Sequence, residues 1–97
     1  MPFQRELDEL RAEYLRELAR RLAALEELWL AVRKEQASDA LAVLRRELHT
    51  IAGSAGSFGF SGIGAAARAA EACLDAGARD EFPRRLAELR QVSLDSR

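Results

Sequence analysis

The sequence is poor in the residues that carry most recognisable chemistry. Its 97 residues include one cysteine, one histidine, one tryptophan and two prolines. A lone Cys73 excludes an internal disulfide framework and a cysteine-based metal cluster, and it fits a reducing compartment. No apolar run approaches the roughly 20 residues that span a bilayer. The opening Met1-Pro2-Phe3-Gln4-Arg5-Glu6 lacks the hydrophobic region of a signal peptide, so a cytoplasmic protein or domain is expected. An excess of one charge is missing as well: 15 basic side chains face 16 acidic ones, for a net charge of −1. That balance argues against a general nucleic-acid binder. Strand-like alternation, internal repeats and low-complexity tracts are also absent.

What remains is charged, Leu/Ala-rich helix, in a chain long enough for one domain (1–97) and one core. From about Phe3 to Lys34, Leu7, Leu10, Tyr14, Leu15, Leu18, Leu22, Leu25, Leu28, Trp29 and Val32 recur at spacings of three and four, the mark of an amphipathic helix. The pattern fits one long helix or a short helix bending near Arg16 to Arg20 into a longer one. Residues 34–39 read as a connection, with Ser38 or Asp39 as the next N-cap. A second helix runs from about Asp39 to Ser57 on Leu41, Leu44, Leu48, Ile51 and Ala55, and Gly59 suits the left-handed position after its end. Ser61 is expected to cap a third helix that ends at Asp75-Ala76-Gly77. A fourth spans about Asp80 to Ser93, with Pro83 in its first turn. Short connections make successive helices antiparallel neighbours. The expected fold is all-α, an antiparallel four-helix bundle with room for an extra N-terminal helix or extension.

Against this background the run Leu48-His49-Thr50-Ile51-Ala52-Gly53-Ser54-Ala55-Gly56-Ser57-Phe58-Gly59-Phe60 stands out. It holds the only histidine, and three of the six glycines, Gly53, Gly56 and Gly59, fall within a span of seven residues. Each glycine inside a helix costs about 0.5–1 kcal/mol relative to alanine. At about 100° per residue, the apolar stripe of this helix points away from His49, while Ala42, Arg45, Arg46, Ala52, Gly53 and Gly56 lie within about 60° of it. The imidazole is thus expected on the outward face, beside two arginines and a flat patch of tiny residues.

A free imidazole nitrogen can act as base, metal ligand or nucleophile. Metal binding wants several converging ligands, and the helical neighbours Arg45, Arg46, Ala52 and Gly53 are not ligands. General-base chemistry wants a second catalytic group and a pocket, and neither can be assigned from spacing. Attack on a phosphoryl group remains, and the arginines suit an anionic transfer. The glycines do not form a nucleotide loop, for the run lacks a G-K-[ST] ending and no strand precedes it.

The run from His49 to Gly59 resembles the signature of histidine-containing phosphotransfer (HPt) domains: a histidine, a glycine four residues on, small residues, and a glycine ten residues on. The order of helices matches over most of the chain. The stretch from Phe60 to Glu71 is similar to the family's entry into its next helix. The resemblance implies a phosphorelay shuttle with His49 as phosphoacceptor. Its partners would be response-regulator receiver domains and a sensor or hybrid histidine kinase, with no nucleic acid and no membrane. It would have no autokinase activity and no cofactor of its own, the Mg²⁺ being supplied by the receiver, and a monomer fits an exposed single site. Gly53 and Gly56, with Ala52, would form the surface on which the receiver lands. In one departure, many family members carry lysine three residues after the histidine, where this chain has Ala52. Arg45, Arg46 or a basic side chain on a neighbouring helix could compensate. The alternative is a non-catalytic helical module that docks receivers without carrying phosphate.

Other conspicuous residues read as structural. Tyr14 and Trp29 are expected in or beside the core, Phe58 and Phe60 as plugs at a helix end, and Cys73 as a small buried hydrophobe.

Overall fold

The structure is a computed structural model that describes residues 2–34 and 39–97. It contains four α-helices, α1 (Pro2–Arg33), α2 (Ala40–Ser57), α3 (Ser61–Asp75) and α4 (Phe82–Asp95), with one 3-10 turn at Arg79–Glu81 leading into the last. There is no strand among the described residues. The helices pack as a ring, each against its neighbours in sequence, and α4 closes against α1. This is the expected four-helix bundle.

Of the two readings for the N-terminal half, one long helix is correct. With helix formers throughout and no internal glycine or proline, α1 runs uninterrupted for 32 residues, Arg16 to Arg20 included. At 1.5 Å per residue it is about 48 Å long, and the molecule measures 51 Å along its long axis. The other helices are about half that length, so the first turns of α1 project past the bundle. Phe3 is 71% exposed there and Leu10 50%. The N-terminal extension is therefore α1 itself rather than an extra helix.

The core is built from the faces that the spacing marks out. Leu18 and Leu25 of α1, Leu44, Leu48 and Ile51 of α2, Ile63 of α3, and Phe82 and Leu89 of α4 are almost fully buried. Trp29 is buried against Phe82, with ring centroids 4.7 Å apart. Cys73 is buried as expected, and its thiol donates to the Ala78 carbonyl at 2.9 Å.

Both glycine-terminated helix ends close in the same way. Gly59 (φ 83°) follows α2 and Gly77 (φ 75°) follows α3. The Phe60 N–H donates to the Ala55 carbonyl and Gly59 N–H to Gly56, while Ala78 N–H donates to Cys73 and Gly77 N–H to Leu74. These are the paired bonds of the Schellman motif, and they need a left-handed residue that glycine adopts without strain.

The helix starts differ from expectation. Ser38 lies outside the described residues. Asp39 precedes α2 but makes no side-chain cap bond, and only its carbonyl joins the helix, accepting from Val43 N–H at 3.0 Å. Ser61 is not the cap of α3; it is the first helical residue, and Phe60 occupies the cap position. The tight Schellman turn ends at Phe60, so the chain re-enters helix one residue before the polar side chain is reached.

Candidate functional site

His49 lies in the middle of α2, and its side chain is 78% exposed. The apolar stripe of α2 turns inward against α1 and α3, which leaves the imidazole on the outer face as the helical spacing requires. Beside it, on α3, stands Glu71, whose side chain is only 23% exposed. Both carboxylate oxygens of Glu71 approach His49 Nδ1, at 3.2 and 3.4 Å. An ionised carboxylate can only accept, so Nδ1–H donates and the lone pair stays on Nε2. In the neutral ring this contact favours the tautomer that leaves Nε2, the nitrogen not facing Glu71, unprotonated.

Glu71 is the residue of this site that sequence reasoning missed. It sits 22 residues from His49 on a different helix, and no helical-wheel argument reaches it. Only the antiparallel packing of α2 on α3 brings the two together.

That packing is unusually close, because the facing residues are small. A Cβ on Gly64 of α3 would stand 3.2 Å from the Ala52 carbonyl oxygen. Ala52 is consequently 4% exposed, which corrects its assignment to the open surface around the histidine. It lies at the edge of the outward arc, and α3 covers that edge. Alanine marks neither face by polarity, so only its helical position, at the edge of the outward arc, assigned it to the surface.

The two arginines are treated differently by the fold. Arg45, one turn before His49, pairs with Asp75 at the end of α3. Arg46 is exposed, and Ala42, Arg45, Arg46, His49 and Glu71 together line one open surface depression. Cationic and acidic groups therefore flank the imidazole.

On the other side of His49 the surface is bare. Gly53 and Gly56 are exposed, and a Cβ at either would meet nothing within 4 Å. Internal packing does not require glycine at these two positions. They differ in this from Gly64, and their helix-weakening cost is left without a structural return.

Around the end of α2, Arg11 and Tyr14 of α1, just inside the projecting turns, make several polar and aromatic contacts. Arg11 Nε donates to the Phe58 carbonyl at 2.9 Å, and the Tyr14 hydroxyl shares a hydrogen bond with Ser54 Oγ at 2.8 Å. The Tyr14 ring stacks on Phe58 and Phe60, at centroid distances of 4.7 and 5.9 Å. These aromatics are half-buried packing residues, close to the expected plugs.

Among the described residues no group of His, Cys, Asp and Glu converges as a metal site, and no helix is long and apolar enough to cross a membrane. An exposed, oriented imidazole beside arginines and bare helix suits a group carried between two large partners. A family model described as the Hpt domain matches residues 9–95, nearly the whole chain. No curated protein and no solved structure matches it.

Proposed function

The chain belongs to the Hpt domain family, phosphocarrier modules of two-component signalling, and on that premise we propose that His49 accepts a phosphoryl group from the aspartate of one receiver domain and passes it to another. The observation that carries this reading is the Glu71–His49 Nδ1 contact, which leaves Nε2 free on an exposed ring. In the step, Nε2 attacks phosphorus, the N–P bond forms, and the acyl phosphate P–O bond breaks to return the donor carboxylate. The ring then carries Nδ1–H and a formal positive charge, which the Glu71 carboxylate offsets. Attack by the next receiver's aspartate reverses these changes. No proton need leave the site.

Gly53 and Gly56 form the landing surface, since a receiver can approach bare helix more closely than any side chain would permit. Arg46 lies where it can reach the phosphoryl oxygens, and Arg45 does so only by leaving Asp75. The Mg²⁺ and acidic cluster that activate the acyl phosphate belong to the receiver, and the module has no autokinase activity. A sensor or hybrid histidine kinase stands upstream. The setting is the reducing cytoplasm, in keeping with one buried, free cysteine.

The test is phosphoryl transfer from a phosphorylated receiver to this protein and to its His49→Gln variant. Label that is acid-labile and alkali-stable in the first, and missing from the second, is the expected result. Absence of label from several receivers that nevertheless bind would overturn the carrier reading in favour of a docking module.

A further inference from the structure

The α1–α4 seam is the loosest in the ring. Small side chains along it, Ala19 and Ala23 of α1 and Ala87 of α4, leave hollows of 220 and 290 Å³ between the helices. Among the described residues, two of the four large apolar side chains that stay exposed, Leu30 (49%) and Leu94 (47%), border these hollows. A further hollow beyond them is lined by Ala12, Leu15 and Arg97. From Ala12 to Arg33 the groove runs about 30 Å at 1.5 Å per residue.

The charged residues around this groove are of nearly one sign. Arg16, Arg33, Arg90 and Arg97 line it, and its one carboxylate, Glu26, is itself paired with Arg90. The chain as a whole has a net charge of −1, so this basic rim is a local feature and not a reflection of composition. The two hollows between α1 and α4 fall below the roughly 300–1,000 Å³ of a small-molecule site, and the third, of 370 Å³, lies at its lower end. Separate shallow hollows in a line instead suit the side chains of a helix spaced at three and four residues.

We propose that the α1–α4 groove docks an acidic amphipathic helix of a partner protein, with apolar side chains in the hollows and carboxylates against the arginine rim. Because α1–α4 lies across the ring from α2–α3, the groove faces away from His49. Both faces can be occupied at once. A partner tethered through the groove would raise its own effective concentration at the phosphotransfer face without covering it.

The only tryptophan, Trp29, lines the groove and reports on it directly. The probe is a synthetic peptide of about five helical turns with leucines at positions i, i+3, i+4 and i+7 and glutamates flanking them. Its control is the same peptide with lysines in place of the glutamates. The acidic peptide is expected to change Trp29 fluorescence saturably, to weaken steeply with added salt, and to bind at least tenfold more tightly than the lysine form. Leu30→Asp and Leu94→Asp, both at exposed positions, should abolish binding while helicity and receiver-to-His49 transfer stay unchanged. Equal binding of the two peptides, no binding of the acidic one, or binding untouched by both variants would overturn the proposal. Self-association that Leu30→Asp removes, without any peptide binding, would instead make a second copy of the chain the occupant.

Discussion

At the residue scale the central pair is His49 and Glu71. The sequence supplies the histidine and the helix that turns it outward. The glutamate comes from the next helix and decides which nitrogen is free. Removing it should slow phosphoryl acceptance without preventing it, since the nucleophile remains. Partners that orient a metal-bound imidazole contribute about 10–100-fold, and for a largely exposed, metal-free His49 the lower end is expected: about a tenfold loss of transfer rate in Glu71→Ala. Glu71→Gln keeps an acceptor for Nδ1–H but not the charge, and should fall between the two. Rapid-quench transfer measurements would check this, and equal rates in all three proteins would remove Glu71 from the mechanism. At Ala52 the structure changes what a lysine would mean. Its Cβ is buried in the α2–α3 seam, so Ala52→Lys must push its chain out along closely packed helices. A loss of about 1–3 kcal/mol is expected in chemical denaturation, whatever the ammonium adds to phosphoryl binding.

Glycines separate into two kinds at the scale of the element. Gly53 and Gly56 weaken α2 with open space around them, whereas Gly64 is what allows α2 and α3 to approach. Alanine at 53 or 56 should therefore stabilise the fold by about 0.5–1 kcal/mol. Alanine at Gly64 should destabilise it by about 1–3 kcal/mol, because its Cβ meets a backbone carbonyl and not the movable end of a side chain. Opposite signs in urea melts of the three variants are the expected outcome. A bulky residue at 53 adds a functional readout, in which receiver transfer is blocked in a bundle that still folds. Unimpaired transfer there would refute the landing surface. The helix ends were legible for the same physical reason that the starts were not. A C-terminal glycine is dictated by the sign of φ, but a polar side chain beside a helix start caps only if the preceding turn delivers it to the right position. Ser61 is delivered one residue too late.

Over the whole molecule, stability rests on one shared core and not on the projecting turns of α1. Phe82 is fully buried and packs on Trp29, so Phe82→Ala should cost about 3–5 kcal/mol. Deleting residues 2–7 should leave the denaturation midpoint nearly unchanged, for Phe3 is mostly solvated. A large loss on deletion would show that the overhang has a partner within the molecule. The ring order also sets the two faces apart, with the histidine on one seam and the basic apolar groove on the opposite one.

Helical periodicity alone determined the all-α class, the helical stretches, their core faces and the outward direction of His49, because each follows from spacing within a single helix; that the first stretch is one unbroken helix was settled by the structure. Gly59 and Gly77 were equally readable, since positive φ selects glycine locally. Tertiary structure decided everything that needed two helices at once. It set Glu71 on Nδ1, tied Arg45 to Asp75, buried Ala52 under α3 and opened the groove between α1 and α4. Those contacts join residues far apart in the chain, and their geometry depends on how closely small side chains let helices approach, which no single-helix pattern encodes.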